Sequence, residues 1–353
     1  MVCDQGLGGG HTLTLEHFIF DEASDIIGVG VGTAGCRVAS RISGFKTDIH
    51  RFYYLSCEEN DLKGLSESIY IPLTHLRREP TAVRGAGVKH LNKIREVVKG
   101  AKFTLIIAGL GGATGSGLAP LVAEVAKKQG SEVLAVAIMP SNFEHSKLFY
   151  SSIALRQLSR ASDHIIVIDN NDFTQTLSDK PILDVYEEIN ERIAFALSRL
   201  LGAFGKGDYG VGLEKTITTS IKDRFTLLAL SDRVDMLEAV SEAVTSIYKK
   251  ADPNEAESAL LYLSDSKNLL ASEVENSVKH LTTLLKEGGV RVEYGFSTNG
   301  YSKVTSVVLV SGFKKIKLAN YDVLESILGP ERMLDPGPEC TLDLPLNNLT
   351  QLE

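Results

Sequence analysis

The sequence predicts an α/β protein with a Rossmann-like parallel sheet, one long central helix and a second α+β domain. In the first half, short β-branched segments alternate with helical segments, which is typical of a parallel sheet covered by helices on both faces. A long amphipathic helix begins near Pro181, and a second series of strands and helices follows it. These observations together predict the fold class.

Hydrophobic spacing divides the chain into its elements. The first half contains the strand-like segments DIIGVG, DIHRFYYLS, FTLIIAGL, EVLAVAIMP and DHIIVIDN. On the central helix, apolar residues recur three or four positions apart, at Ile182, Val185, Ile189, Ile193, Ala196, Leu200 and Phe204. The second half contains the strand-like segments FTLLALS, SALLYLSD, VRVEYGFS and TSVVLVSGF.

The length of the chain, 353 residues, is too great for one small core, so we expect more than one domain. The predicted units are an N-terminal extension over residues 1–24, a first domain over 25–180, a central helix over 181–204, a second α+β domain over 205–313 and a tail over 314–353. The tail contains the segment TLDLPLNNL, which suits docking of an extended peptide to a partner.

Charge, hydropathy and cysteine spacing exclude several classes of protein. The formal net charge is −8 and no dense stripe of lysine and arginine offsets it, so no nucleic-acid partner is expected. The longest apolar runs are far shorter than the roughly 20 residues of a transmembrane helix. The first residues resemble no secretory signal, so we expect a cytoplasmic protein. The cysteines lack metal-binding spacing and are expected to be free thiols.

The strongest functional signal is a glycine-rich segment, GLGGATGSG at residues 109–117, between the strand FTLIIAGL and a helix. Glycines let the main chain approach a phosphate group closely, and the start of the following helix adds its positive dipole end. Thr114 and Ser116 add hydroxyl donors. No Gly-Lys-Ser/Thr triplet is present, so this is not a Walker A loop. We therefore predict phosphate binding at this turn.

A second glycine-rich turn, GVGVGTAG at residues 28–35, follows the first strand and opens a helix. Gly30, Gly32 and Gly35 match the dinucleotide fingerprint, and Glu58 or Glu59 could then bind a ribose. That match makes an NAD-dependent oxidoreductase an alternative enzyme class. A pyrophosphate uses one such turn, however, whereas two turns suit a longer triphosphate chain.

Taken in order, these motifs resemble those of the tubulin/FtsZ superfamily. GGATGSG is similar to the GGGTGSG signature of that family, and VGTAGCRV resembles its first phosphate loop. The resemblance covers roughly residues 25–313 and is to a divergent FtsZ-like cytoskeletal GTPase of prokaryotic type. It implies that the first domain binds GTP or GDP. Neither glycine turn contains a lysine, so Mg²⁺ is expected to neutralise the phosphates.

The resemblance also implies the residues of the nucleotide site. Gly85-Ala86-Gly87 resembles the family's γ-phosphate-sensing third loop, and Pro140 to Glu144 resembles the loop beside the sugar. Asn170 ends a strand where the family reads the guanine edge, and Asn171 competes for that role. The implied GTP-binding residues are Gly30, Gly32, Thr33, Ala34, Gly35, Cys36, Gly85, Ala86, Gly87, Gly111, Gly112, Ala113, Thr114, Gly115, Ser116, Gly117, Glu144, Asn170, Tyr186 and Asn190.

Two residues of that set lie on the central helix. Tyr186 and Asn190 are four positions apart and therefore point from the same face. The resemblance implies that Tyr186 stacks on the base and that Asn190 contacts guanine. Without it, a core aromatic ring and a solvated amide are the simpler interpretations.

Two loops of the site depart from the family pattern. Cys36 stands where the family usually has asparagine, so guanine discrimination would depend more on Asn170 and Asn190. The second loop, residues 56–59, replaces the family's Asn-x-Asp but keeps carboxylates that could orient Mg²⁺ through water. No residue is assigned as a direct metal ligand.

The predicted interface loop, residues 205–217, carries the candidate catalytic group. In FtsZ a loop of roughly Asn-x-Asp-x-x-Asp from the neighbouring subunit polarises the attacking water. Here one carboxylate, Glu214, falls near that place, and a shift of one residue would put Lys215 there instead. Loss of one water-polarising acid would slow hydrolysis but leave nucleotide binding intact.

The sequence thus predicts a GTP-binding protein that assembles head to tail with copies of itself, in cell division or cell shape, and hydrolyses GTP at the subunit interface. The alternatives are a GTP-binding filament or adaptor without hydrolysis and, from another class, an NAD-dependent oxidoreductase. A heterologous contact between copies would produce open filaments. The tail adds a candidate partner, a membrane tether or a division protein.

Overall fold

The computed structural model describes residues 26–73, 78–174, 179–202, 209–265, 269–285, 289–297 and 304–317. The predicted N-terminal extension and the tail segment TLDLPLNNL lie outside the described residues. The same holds for part of the predicted interface loop, residues 205–208.

The described residues form one mixed sheet of ten strands with helices on its faces. The strands are β1 (Ile26–Val31), β2 (Arg51–Ser56), β3 (Ser68–Tyr70), β4 (Phe103–Gly109), β5 (Glu132–Met139), β6 (His164–Asp169), β7 (Phe225–Arg233), β8 (Ser258–Ser264), β9 (Arg291–Ser297) and β10 (Val304–Phe313). The helices are α1 (Gly32–Ile42), α2 (Glu59–Leu62), α3 (Pro80–Lys89), α4 (Leu91–Val97), α5 (Ala113–Lys128), α6 (His145–Ala161), α7 (Asn171–Thr174), α8 (Ile182–Leu200), α9 (Gly212–Thr219), α10 (Met236–Tyr248) and α11 (Ala271–Leu284).

Strands of the first half are all parallel and follow the order β3-β2-β1-β4-β5-β6. The strands β1, β4, β5 and β6 are almost completely buried, which explains their continuous apolar runs rather than an alternating pattern. Because the strands are parallel, the turns that follow β1, β4, β5 and β6 all lie at one edge of the sheet. The predicted strands of this half are confirmed.

The second half extends the same sheet. Strand β7 lies parallel beside β6, from Ile165↔Phe225 to Ile168↔Leu228. Strand β10 then pairs antiparallel with both β7 and β8, and β9 runs parallel to β8 at the edge. The two predicted domains are therefore joined through main-chain hydrogen bonds, and their exact boundaries stay predictions.

Two apolar clusters cover the two faces of the sheet. Helices α1 and α8 bury one face, with Val38, Ile42, Ile189, Ile193, Leu197 and Leu200 packed on β1, β4 and β5 residues. Helices α5 and α10 bury the other, with Leu118, Val122, Val240 and Val244 against the opposite side chains of the same sheet. The predicted central helix is α8, within the predicted span of 181–204.

Two segments predicted as loops contain helices. Gly85, Ala86 and Gly87 lie inside α3, where Gly87 packs against Leu118 and Leu121 of α5. The prediction of a loop at these residues was therefore wrong. The predicted interface loop ends in α9, which begins at Gly212.

In the ranges that the structure covers, no helix combines the length and hydropathy needed to cross a bilayer. Cys36 and Cys57 are buried free thiols, and the other two cysteines, Cys3 and Cys340, lie outside those ranges.

A charged cluster joins the two halves at the amino-terminal edge of the sheet. His164, the first residue of β6, has Nε2 at 3.1 Å from Glu132 Oε1 and Nδ1 in contact with the carbonyl oxygen of Ser220. Lys222 also pairs with Glu132, at 2.9 Å. These partners lower the pKa of Glu132 from 4.5 to about 2, and the hydrogen bond from His164 makes the largest contribution.

Replacing Glu132 by glutamine should therefore destabilise the protein in a pH-dependent way. The folded pKa is depressed, so the stabilisation is present above pH 4.5 and is lost as the pH falls towards 2. At pH 7 we expect a loss of about 1–2 kcal/mol, after discounting the shift for partial solvent screening. Urea unfolding of both proteins between neutral and acid pH measures this difference.

The matched control is Glu275→Gln, which removes an exposed carboxylate paired with Lys279 on α11. Such surface pairs contribute little, so this variant should follow the wild type at all pH values. A constant difference between Glu132→Gln and the wild type across the acid range would contradict the assignment.

Candidate functional site

The two glycine turns lie side by side at the carboxyl edge of the sheet. Strands β1 and β4 are direct neighbours, with Val31 opposite Ala108. A Cβ atom added to Gly32 would lie 3.0 Å from the main-chain nitrogen of Gly115. The turns after β1 and β4 therefore form one continuous main-chain surface.

Close backbone contacts explain why glycine occupies two of these positions. A Cβ atom on Gly115 would overlap the carbonyl oxygen of Gly109, and one on Gly35 would overlap the carbonyl oxygen of Ile107. Each helix start is thus pressed against the end of strand β4, and a side chain would push the two apart.

Gly112 is the position of the second turn that faces open space. A Cβ atom there would meet nothing within 4 Å, and Gly112 is the N-cap of α5. No side chain caps this helix start, so main-chain N–H groups of its first turn are available to an anion. Gly111 has φ +98°, and its N–H donates to Ser116 Oγ at 2.8 Å. The hydroxyl group of buried Ser116 therefore stabilises the conformation of the turn.

The remaining turn residues divide into two groups. Thr33, Ala34, Ala113 and Thr114 lie in the first turns of α1 and α5, at the surface shared by the two turns. Gly30 and Gly117 instead allow close packing. A Cβ on Gly30 would meet the carbonyl oxygen of Gly35, and one on Gly117 would lie 2.5 Å from that of Pro80.

An acidic side chain that sequence analysis missed reaches the first turn. Asp61, on α2, accepts hydrogen bonds at Oδ2 from Thr33 Oγ1 (3.0 Å) and Ser56 Oγ (2.6 Å). Ser56 Oγ in turn accepts the N–H of Glu58, at 3.1 Å. The signal in the sequence was an acid in the short helix directly after the second loop.

The two buried cysteines each contact a residue of a glycine turn. Cys36 Sγ contacts the carbonyl oxygens of Gly30 (3.4 Å) and Leu55 (3.7 Å), and burial raises its pKa to about 12. The Cys36 side chain thus points into the core, so its predicted contact with the nucleotide is not supported. Cys57 shares a hydrogen bond with Thr114 of the second turn, and burial raises its pKa to about 11.

The loop after β5, predicted to lie beside the sugar, contacts the central helix. Tyr186 on α8 hydrogen-bonds Glu144, and burial followed by the charge of Glu144 raises the pKa of Tyr186. Glu144 also accepts the N–H of Ser141 at 3.0 Å and pairs with Lys147. Asn190 lies one turn beyond Tyr186 on α8 and is buried.

The structure distinguishes the two candidate asparagines after β6. The side chain of Asn171 is engaged, since its Oδ1 accepts the N–H of Asn142 (2.8 Å) and its Nδ2 donates to Asp169 (2.7 Å). In the part of the chain that the structure describes, Oδ1 of Asn170 is buried without a hydrogen-bond partner, as is Oγ of Ser141. Of the two asparagines, Asn170 is therefore the one whose side-chain oxygen is available to accept a hydrogen bond from a ligand.

A buried ion pair links this strand end to the second half of the chain. Lys250, just after α10, lies 2.5 Å from Asp172 and 3.7 Å from Asp169, and all three side chains are largely buried. Burial raises the pKa of Asp169, while Lys250 opposes that rise. The end of β6 is thus held by the second half.

Glu214 lies at the opposite edge of the sheet from the glycine turns. The N–H of its neighbour Leu213 donates to Asp48 Oδ2 at 2.9 Å, and Asp48 precedes β2 at its amino end. A strand of six residues is roughly 20 Å long. The carboxylate of Glu214 therefore cannot reach the glycine turns of its own chain.

Lys215 is engaged within its own chain. Its Nζ lies 3.4 Å from Glu293 and 5.3 Å from the centre of the Tyr209 ring. Tyr209 pairs with Phe296 of β9 through two main-chain hydrogen bonds, of 2.8 and 2.9 Å. Glu214 is exposed, and no ion pair joins it to another residue in the described ranges, so its carboxylate faces solvent at this edge.

A large cavity of about 1280 Å³ lies between α8 and α10, away from the glycine turns. Its lining includes Glu187, Glu188, Glu191 and Glu242 and contains more acidic than basic side chains. An anionic triphosphate would be repelled there, so we assign the phosphate site to the glycine turns.

Comparison with known proteins finds similarity to the tubulin/FtsZ family. A profile of the tubulin/FtsZ family GTPase domain matches residues 77–178. Cell division protein FtsZ 2 of Methanocaldococcus jannaschii is 31% identical over 185 residues, 50% of this chain and 48% of that protein. Cell division protein FtsZ 1 of Pyrococcus abyssi is 26% identical over 267 residues, 72% of this chain and 71% of that protein. The GTPγS-bound protofilament of CetZ2 from Haloferax volcanii has a TM-score of 0.64 at 20% identity, covering 88% of this chain and 98% of that one.

Residues 77–178 are thus similar to the GTPase domain of the tubulin/FtsZ family, and the fold is similar to that of the CetZ2 structure. Among the curated relatives, the matched residues are similar to the cell division proteins FtsZ of the two organisms named above. The match to the first of these relatives spans about half of that protein's length.

Proposed function

We propose that this protein binds GTP at its paired glycine turns and assembles head to tail with copies of itself. The observation that carries the proposal is the open main-chain cradle at Gly112, beside the turn after β1. Three phosphates need several N–H donors, and the starts of α1 and α5 supply them together with their dipoles.

Recognition of the guanosine end is assigned to the residues after β5 and β6 and on α8. The unpaired Oδ1 of Asn170 suits an N–H donor on the guanine edge. Glu144, held by Tyr186, suits the ribose hydroxyl groups. Asn190 adds an amide beside them. The NAD-dependent alternative rested on the first turn and on Glu58 or Glu59, and the similarity to the tubulin/FtsZ family supports GTP rather than NAD.

Magnesium would be held by the phosphates, by Glu58 of the second loop and by Asp61 of α2. No group of three acidic, histidine or cysteine side chains within the described ranges could hold a metal ion without other ligands. Mg²⁺ at phosphates commonly uses only one or two carboxylates, so Glu58 and Asp61 fit that chemistry.

Hydrolysis is assigned to the contact between copies. Glu214 lies at the amino edge of the sheet, the glycine turns at the carboxyl edge, and one chain cannot bring them together. Stacking the amino edge of one subunit on the carboxyl edge of the next would do so, and such a contact makes open filaments. Glu214 would then orient the attacking water towards the terminal phosphate.

A second candidate is a GTP-binding filament that does not hydrolyse. The observation favouring it is that α9 presents one acidic residue, Glu214, in its first turn. A single carboxylate would polarise the attacking water less than two acidic side chains would. Both candidates serve cell division or cell shape in the cytoplasm, and a tail-bound partner stays a prediction because the segment lies outside the described residues.

Sedimentation and phosphate release test both candidates. Purified protein with Mg²⁺ and GTP should pellet as polymer above a threshold concentration, whereas GDP or no nucleotide should not support assembly. Phosphate release that begins only above that threshold identifies the hydrolysing filament. Assembly without phosphate release identifies the second candidate. If GTP changes neither sedimentation nor thermal stability, the proposed function is wrong.

A further inference from the structure

An exposed arginine borders the phosphate turns. Arg78 lies two residues before α3 and pairs with Glu58, with Nη1 at 2.7 Å from Oε1. Both side chains line a cavity of about 380 Å³, together with Cys57 and Tyr70. The arginine side chain is 67% exposed, so it has room to change partners.

Two contacts place this cavity beside the second glycine turn. Cys57, in the cavity wall, shares a hydrogen bond with Thr114 of that turn. The start of α3 also adjoins α5, since a Cβ on Gly117 would lie 2.5 Å from the carbonyl oxygen of Pro80. Arg78 is therefore close to the cradle without being part of either turn.

The order of the strands gives the direction of the triphosphate. Asn170 follows β6, the glycine turns follow β4 and β1, and Glu58 follows β2, which lies beyond β1 in the sheet. A nucleotide whose base lies at Asn170 therefore extends its phosphates towards β2. Its terminal phosphate approaches the cavity that Arg78 and Glu58 line.

Other basic side chains near the turns are held elsewhere. Arg37 pairs with Glu187 of α8, at 3.0 Å. Lys147 lies next to Gly111 but pairs with Glu144 on the sugar side. Lys93 also lies on the side where the terminal phosphate is expected, and its Nζ donates to the carbonyl oxygen of Tyr70 at 3.2 Å. Among the described residues, Arg78 is the cation that lines the cavity itself.

We propose that Arg78 and Glu58 form an exchange pair that distinguishes GTP from GDP, an assignment that rests on the proposed function above. In the nucleotide-free protein the two side chains neutralise each other. When the terminal phosphate is present, Arg78 donates to its oxygens and the Glu58 carboxylate is freed from the ion pair, where it would help to hold the Mg²⁺ that accompanies the phosphates. The exchange is feasible because exposed ion pairs contribute little stability. GDP lacks the group that Arg78 recognises, so the pair stays closed.

Replacing Arg78 by alanine should lower affinity for GTPγS about 10- to 100-fold in the presence of Mg²⁺, the range expected for a lost charge-assisted contact. Affinity for GDP should change less than about threefold, because only the terminal phosphate is concerned. Arg78→Lys should give an intermediate loss, since it keeps the charge but not the planar fork. Calorimetric titration below the assembly threshold measures these affinities.

Replacing Glu58 by glutamine should give a signature that a purely structural role would not. Without Mg²⁺, this variant should bind GTPγS more tightly than the wild type, because Arg78 is free and one negative charge is gone. With Mg²⁺ it should bind more weakly, because a ligand is lost. The enhancement by Mg²⁺ therefore shrinks in the variant.

The control is Arg95→Ala, an exposed arginine on α4 that contacts Asn92. It should leave both affinities unchanged. If Arg78→Ala leaves the GTPγS to GDP ratio at its wild-type value, or if Lys147→Ala alone changes that ratio, the exchange pair is wrong although the proposed function stands. If the wild type binds neither nucleotide, both are wrong.

Discussion

Replacing Gly112 by aspartate should weaken nucleotide binding strongly while the protein stays folded. The position faces open space, and aspartate is a favoured N-cap, so the substitution fits the backbone and caps α5. The new carboxylate would occupy the donors that the phosphates need. Two unit charges about 4 Å apart repel by about 4 kcal/mol at an effective dielectric constant near 20, so affinity should fall at least about 100-fold.

The matched control for this variant is Gly112→Asn, which has the same shape without the charge. It should keep most of the affinity, because an amide can rotate away from the phosphates at little cost. Thermal melts without nucleotide should show both variants at least as stable as the wild type, and GTP should raise the melting temperature of the asparagine variant only. Equal GTP affinity in the aspartate variant and the wild type would show that the phosphates do not bind at this turn.

Replacing Glu214 by alanine should lower phosphate release by about 100-fold or more, the size of effect seen when one transition-state group is removed. Nucleotide affinity of the monomer should be unchanged, because Glu214 lies at the edge opposite the glycine turns. Lys215→Ala is the control, since Lys215 is paired with Glu293. A loss of hydrolysis in the lysine variant instead would mean that the one-residue shift considered from the sequence is correct.

Mixing the two inactive variants tests whether the site is shared between copies. Glu214→Ala binds GTP but lacks the acid, and Gly112→Asp has the acid but binds GTP only weakly. In a head-to-tail contact, an alanine-variant subunit can receive Glu214 from an aspartate-variant neighbour. Phosphate release should therefore reappear in the mixture. Two variants that remain inactive when mixed, yet co-sediment, would contradict a shared site.

The sheet of the first half was predictable because the relevant signals are local. Buried β-branched runs followed by glycine turns leave few alternatives to parallel strands, and adjacency of β1 and β4 follows from the usual topology of such sheets. Asn170 and Tyr186 could be nominated only through the family resemblance, since an asparagine after a strand is otherwise an ordinary turn residue.

The errors of sequence analysis also have physical causes. Gly85-Ala86-Gly87 was assigned to a loop by its resemblance to the family's third loop, but these glycines lie in α3, where packing on α5 outweighs their poor helix propensity. Asp61 and Arg78 were missed because their partners, Thr33 and Glu58, are distant in sequence and are brought near only by the fold. The burial of Cys36 likewise depends on strand contacts that no motif contains.

The unbroken sheet has a mechanical consequence. If subunits stack amino edge on carboxyl edge, the strands of each subunit run along the direction of the filament. Tension would then pull strands past one another, so that many interstrand hydrogen bonds resist together rather than opening one at a time. Because β6 and β7 are paired, the load passes from one half of each subunit to the other through the backbone itself.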